Sequence, residues 1–414
     1  MTSKRRLIKG APLLVLCLGL LLVGSAPAAD SLNVRLIGEL DLPSYECGVA
    51  VVGDLAYVAD FDSGLRVISI ADPVRPVEIG YCDTPGQAYQ VAVADRFAYV
   101  ADYSAGLRII SVADPADPAD AGHCDTPGHA YGVAVDGDFT YVGDRDSGLR
   151  VISVADPAHP VEVGHCDTPD QAYQVAVADG FAYVADLTAG LRIISVADPA
   201  HPAEVGYYDT PGQAYEGAVS GDYVYVADNT AGLRVISVAD PVHPVEVGYW
   251  NATRGVHGVA VSGGYAFVAD RDRGLRVLSV ADPAHPTEVG YYDTPGLAFG
   301  VTVAGGLVFV GDYGAGFKIL QFYGGGVEEG RQLTVSGSRP TTTIVRGVLN
   351  LQVDGRQNTA YRAELLDATG RRVMELRRGA NDVSRLAPGV YFVSEQPQAS
   401  SHKPQAIRKV VVTR

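Results

Sequence analysis

Tryptophan occurs once and methionine twice in these 414 residues. No run of Ala, Leu, Glu and Lys of the kind that builds helices appears. Charged residues make up only 19% of the chain against 47% hydrophobic ones, which excludes a disordered polyelectrolyte. Basic charge is scarcest in the middle, where residues 29–322 hold 14 basic and 40 acidic side chains, a net −26. A nucleic-acid partner needs a basic footprint, and so does an anionic membrane surface, so both are excluded as partners. The one long apolar run, residues 11–23, is too short to span a bilayer comfortably. Five cysteines occur, without a CxxC or HxxxH spacing to hold a metal. No phosphate loop or dinucleotide fingerprint is present, and no cofactor is expected. What is abundant is Gly (48), Pro (24) and Tyr (23) with much Val, the composition of turns and strands.

Lys4, Arg5, Arg6 and Lys9 precede the apolar run, and Ala26-Pro27-Ala28 follows it with small residues at the −3 and −1 places. That is the three-part pattern of a secretory signal, with cleavage expected after Ala28. The mature chain is expected to be secreted or on the cell surface. Export invites a disulfide reading of Cys47, Cys82, Cys124 and Cys166. Cys82, Cys124 and Cys166, however, share one place in successive repeats, which should hold them more than about 10 Å apart, beyond disulfide reach. Four free thiols are expected.

The decisive signal is internal repetition. Gly-Leu-Arg occurs at Gly64, Gly106, Gly148, Gly190, Gly232 and Gly274 and recurs as Gly-Phe-Lys at Gly316, always 42 residues apart. Asp60, Asp102, Asp144, Asp186, Asp228, Asp270 and Asp312 keep the same register. Each unit contains four short strand patterns, as in VEIGYC, AYQVAVA, FAYVAD and GLRIISVAD, separated by Asp-Thr-Pro-Gly and Asp-Pro turns. Short connections imply antiparallel pairing. Four antiparallel strands per unit, seven units over, predict an all-β, seven-bladed β-propeller across residues 33–322. The seventh unit lacks its last strand, and a matching strand stands too early, at residues 34–40. An open ring would expose pairing edges, so residues 34–40 are expected to complete the last blade beside residues 316–322.

Strings such as GLRVISVADP, GLRIISVADP and AYVAD resemble the LVIVD repeat proteins, which are secreted or surface bacterial β-propellers without a general assigned chemistry. The period stops after Phe322, and a Gly-rich linker follows at 323–332. Residues 333–414 read as alternating short strands, which suggests a small immunoglobulin-like β-sandwich. Leu-Leu-Asp-Ala-Thr-Gly-Arg-Arg-Val at 365–373, Leu-Ala-Pro-Gly-Val-Tyr-Phe-Val at 386–393 and Arg-Lys-Val-Val-Val at 408–412 resemble the C-terminal sorting domain of type IX secretion substrates. Ser338-Arg339-Pro340-Thr341 stands where such tails usually open with Pro-Asn-Pro. The resemblance implies the outer-membrane secretion machinery as a partner through residues 333–414.

The recurrent Asp60/Arg66 pair and its equivalents follow the symmetry, which marks scaffold rather than catalysis. Three loops read Asp-x-Asp (60/62, 144/146, 270/272), too few oxygen ligands for a calcium loop. His159, His201, His243 and His285 share a solvated turn position, whereas His257 replaces an aromatic residue. Candidate binding residues are therefore the aromatic series entering the inner strands, Tyr89, Tyr131, Tyr173, Tyr215, His257 and Phe299. Arg254, Arg271 and Arg273 put positive charge into the least symmetric unit. Rings with scattered charge suit stacking on sugars or anchoring a peptide, and the three arginines suit an anionic partner. The blander reading is that the rings only fill the channel mouth. The expected function is a non-catalytic extracellular binding or scaffold propeller for a protein or glycan. The alternative is a propeller enzyme, a hydrolase or lyase of extracellular polysaccharide. Such enzymes need long, unequal loops, and a 42-residue period without insertion leaves little room for them.

Overall fold

The computed structural model describes residues 31–324 and seven short strands between positions 342 and 412. Residues 31–324 form a seven-bladed β-propeller of four-stranded antiparallel blades. Blade 1 runs outward from the axis as Glu46–Val52, Leu55–Asp60, Leu65–Ser69 and Val77–Cys82. Blades 2 to 6 begin at Gln90, Gly132, Val175, Glu216 and Gly258 and end at Cys124, Cys166, Tyr208, Trp250 and Tyr292. Among the described residues no helix is long and apolar enough to cross a membrane.

The strand sequences explain the packing. In a blade's second strand, alternate side chains face opposite neighbours. Ala98 and Val100 pack with Tyr57, Leu65 and Val67 of blade 1, while Tyr99 and Ala101 pack toward blade 3 with Val133 and Ile152. A sheet covered on both faces must be apolar at every position, which is why these strands show no polar alternation. The same arrangement recurs as seven hydrophobic clusters, one per blade junction. Glycine in each outer strand lets the next blade close in. A Cβ at Gly80 would lie 2.3 Å from the carbonyl oxygen of Pro115, in the Asp-Pro turn of blade 2.

The ring closes as expected. Blade 7 takes Leu297–Ala304, Leu307–Tyr313 and Phe317–Phe322 from one end of the propeller sequence and Val34–Leu40 from the other. Val34 pairs with Phe322, and Leu40 with Phe317. One feature was not anticipated: Ser31–Leu32 adds a fifth strand to blade 6, pairing with Tyr292 and Tyr291. Leu32 then lies against Gly290, where every other outer-strand glycine meets an Asp-Pro turn. Blade 7 has no such turn, because the chain departs at Tyr323. The entering segment fills the gap and fastens two blades at once.

In the C-terminal region, a sheet joins Thr342–Val345, Ile407–Val412, Gly389–Glu395, Ala363–Asp367 and Arg372–Leu376. Val348–Leu351 pairs with Gly379–Asp382. The remainder of the expected sandwich, the linker beyond Gly324 and the expected signal segment lie outside the described residues.

Candidate functional site: the aromatic end of the axis

At one end of the axis the first residues before the inner strands converge. Tyr89 and Tyr131 stack with ring centres 4.2 Å apart, Tyr131 and Tyr173 lie 4.1 Å apart, and Tyr173 meets Tyr215 edge-on at 5.2 Å. Tyr215 stacks on His257 at 4.1 Å, and His257 lies 4.3 Å from Phe299. The structure thus brings all six expected aromatic positions into one half-buried layer across the channel mouth. Tyr313 and Tyr45 extend it, stacked at 4.1 Å, and Phe61, Tyr103 and His129 join from the surrounding loops. Burial lifts the Tyr89 phenol to about 12 and pushes Tyr131 well above its ordinary value. Burial, helped by Arg271, lowers His257 to about 3. Tyr89, Tyr131 and His257 are therefore uncharged at physiological pH.

The loops around it are held in an unusual backbone conformation. Tyr103, Arg145, Leu187, Asn229 and Arg271 have φ between 41° and 45°, the left-handed region that favours glycine. Reciprocal backbone hydrogen bonds enforce it: Tyr103 and Ala130 exchange two at 3.0 Å. Side chains of varied chemistry are thus presented on a rigid frame. Arg145 is the most connected, donating to the Tyr103 hydroxyl at 2.8 Å and to Gln171 while lying 5.5 Å from the Tyr173 ring.

The three expected arginines occupy one sector beside blade 6. Arg254 is exposed and pairs with Asp272 at 3.3 Å. Arg273 donates to the Thr253 hydroxyl at 2.6 Å. Arg271 lies 6.0 Å from the Phe299 ring. Two carboxylates face the three guanidinium groups, Asp272 beside Arg254 and the buried Asp270, which Arg276 and Arg273 share, so the patch keeps a positive excess.

The recurrent aspartates and arginines are a framework, as their symmetry implies. Asp228 is fully buried and accepts from the Thr210 hydroxyl at 2.6 Å and from the Gly212 amide at 2.9 Å. It therefore staples the Asp-Thr-Pro-Gly turn that enters its own blade, with Arg234 at 3.7 Å behind it. Arg234 lies under the Tyr249 ring, 4.9 Å away. Asp60, Asp144 and Asp270 of the Asp-x-Asp loops turn inward to Arg66, Arg150 and Arg276 in the same way. All four described cysteines are unpaired thiols.

Two carboxylates escaped the sequence reading. Glu46 is 1% exposed, and both of its oxygens lack a hydrogen-bond partner. It stands where the other blades carry Ala88, Ala130, Ala172, Ala214, Val256 and Ala298. Glu216 lines the axial channel just below the ring layer, where other blades carry glycine or glutamine.

A seven-bladed propeller with 42-residue blades is the class that fold and repeat define. Six consecutive segments, 44–84, 85–126, 127–168, 170–210, 211–252 and 253–294, match the LVIVD repeat, and the chain belongs to that family. The seventh blade, assembled from both ends, lies outside the matched segments. No curated protein matches the chain. Among solved structures, the computationally designed Ika8 protein is similar in fold, with a TM-score of 0.54 at 7% identity over 69% of this chain and 99% of that one.

Proposed function

We propose that the chain is an exported, non-catalytic binding or scaffold propeller that engages an extracellular protein or glycan through its aromatic end. The observation that carries this reading is the continuous layer from Tyr45 to Phe299, framed by loops whose backbone is fixed while their side chains vary. Aromatic faces on a rigid frame favour sugar rings and peptide anchors. Arg254, Arg271 and Arg273 direct the partner's anionic groups to the blade 6 sector. The signal segment ending at Ala28 supports export, and residues 333–414 support sorting to the outer surface through an immunoglobulin-like domain.

A glycan array and a surface-protein pull-down identify the partner. Replacing Arg254, Arg271 and Arg273 together by Ser should then abolish binding while the propeller melts as before. Unchanged binding by that variant overturns the placement, and turnover on a polysaccharide panel overturns the non-catalytic reading. Deleting residues 333–414 should release the protein from cells.

A further inference from the structure

Beneath the ring layer the channel holds a cavity of about 330 Å³. Its wall comes from the inner strands: half-buried Ala218, Val219, Ala260 and Val261, with Gln90, Gln174, Glu216 and Thr302. Glu216 is the one ionisable residue lining it among the described residues. We propose that this cavity binds a small organic ammonium ion, its cationic head on the Glu216 carboxylate and its alkyl stem along the half-buried Ala218, Val219, Ala260 and Val261. The site is separate from the aromatic end and stands whether or not that end binds a glycan or protein.

Three observations carry the proposal. The first is a carboxyl without a cationic partner. No cationic side chain lies within ion-pair distance of Glu216 among the described residues, and only the Val259 amide offers it a hydrogen bond. Gln174 stands on one side, Gly258 and Val259 on the other, and Tyr215 and neutral His257 above. A lone enclosed carboxylate is costly, and a cationic guest removes that cost.

The second is the room beside it. The position next round the ring is Gly258, where a Cβ would lie 2.3 Å from the Phe299 carbonyl oxygen and 3.1 Å from Glu216 Oε2, so glycine lets blade 7 and the carboxylate approach together. Gly48, Gly132 and Gly300 hold the same place in three other blades, where a Cβ would meet Gln90, Gln174 and the Cys47 carbonyl oxygen of the neighbouring blade. Liquid water occupies about 30 Å³ per molecule, so the cavity admits a guest of several heavy atoms rather than a single solvent molecule.

The third is the donor set. Gln90 Oε1 already accepts from the Val91 amide at 3.0 Å, and Gln174 Oε1 from the Val175 amide at 3.2 Å. That leaves too few hard oxygens to wrap a divalent cation, which takes six to eight. An ammonium head needs only three acceptors. Glu216 supplies one or two of them.

The test is calorimetric titration of the full propeller with n-butylammonium chloride, 1-butanol and potassium chloride. Burial lifts the Glu216 carboxyl to about 8, so an ammonium ion must displace a proton at neutral pH. Saturable one-to-one binding of butylammonium is expected, weaker by about tenfold or more at pH 6.5 than at pH 8.5. Glu216→Gln should remove both the binding and its pH dependence. Glutamine already occupies this place in blades 2 and 4, so the variant should fold, and the pH series on the unaltered protein tests the same point without it. The proposal is overturned if butylammonium gives no saturable heat, or binds equally at both pH values. It is also overturned if Glu216→Gln binds as the parent does, which would mean diffuse attraction to an acidic surface. Equal binding of butanol, or of potassium alone, overturns it as well.

Discussion

The ammonium of Lys318 lies 2.8 Å from the carboxylate of Glu39, joining residues 279 positions apart across the seam of blade 7. Lys318 is 3% exposed, so the pair is largely withdrawn from water on its cationic side. It sits within a strand pairing that runs from Val34–Phe322 to Leu40–Phe317. Deleting residues 29–40 removes this strand, the buried Val34 and the extra strand on blade 6 together. Each fully buried aliphatic side chain is worth about 1.5–3 kcal/mol, so the loss should reach several kcal/mol or abolish folding. Thermal unfolding followed by circular dichroism decides it. A truncated chain melting with the parent would show that the ring does not depend on this closure.

The turn staples should be individually costly. Thr210 is 6% exposed and gives its hydroxyl to Asp228. Thr210→Val keeps the shape but strands a carboxylate oxygen, at about 1–3 kcal/mol. Asp228→Ala leaves both the Thr210 hydroxyl and the Gly212 amide without their acceptor and takes one of two carboxylates from Arg234, which keeps Glu246 at 3.7 Å, so it should cost more, about 2–5 kcal/mol. Urea midpoints should rank the parent above the Thr variant and the Thr variant above the Asp variant.

The four thiols should differ in reactivity. Cys47 is buried, and burial with nearby Glu46 pushes its thiol to about 12, so a disulfide reagent should not reach it in the native protein. Cys82, Cys124 and Cys166 are half-buried and should react slowly. Denaturant should expose all four in the mature chain. A total of two would mean that a disulfide forms.

The loop backbone gives a stabilising substitution. Leu187 is held at φ 41°, a conformation that costs a side chain such as leucine about 1–2 kcal/mol. Asn229 occupies the same position one blade on at φ 43°. Leu187→Asn should therefore raise the melting temperature or leave it unchanged. A clear fall would show that the leucine side chain supplies more packing than its backbone strain removes.

Much of this architecture was legible because repetition multiplies every signal. Seven glycines at one spacing fixed the number of blades, and the missing last strand pointed to Val34–Leu40. The ring residues were legible as a column, from Tyr89 to Phe299. That they would stack on one another was not, because a column carries no radius. Ser31–Leu32 escaped because it belongs to no repeat and pairs only where blade 7 lacks its Asp-Pro turn. Glu46 and Glu216 were visible as breaks in columns of small residues or glycine and glutamine. Their importance was not, because a repeat marks equivalence without telling which column lies in a blade junction and which on the axis.

Glu46 gives the chain a pH dependence of definite sign. Burial is the main cause that lifts its carboxyl from 4.5 to about 7, with the charges of Asp60 and Asp312 adding to it. The folded state therefore holds a proton that the unfolded state releases. This contribution is fully present below pH 4.5 and is lost as pH rises through 7. Above that, an ionised Glu46 costs the fold roughly 3 kcal/mol relative to its protonated form. Burial raises Asp60 too, so the two titrate together. Glu46→Gln removes the ionisation while keeping the shape. The parent should melt lower at pH 8.5 than at pH 5, and the variant should match the parent at pH 5 and exceed it at pH 8.5. Because Glu46 pairs with Asp60 at the junction of blades 7 and 1, the alkaline loss should appear first as faster amide exchange along Glu46–Val52 and Val34–Leu40. Equal pH dependence in parent and variant would move the origin of the effect away from this seam.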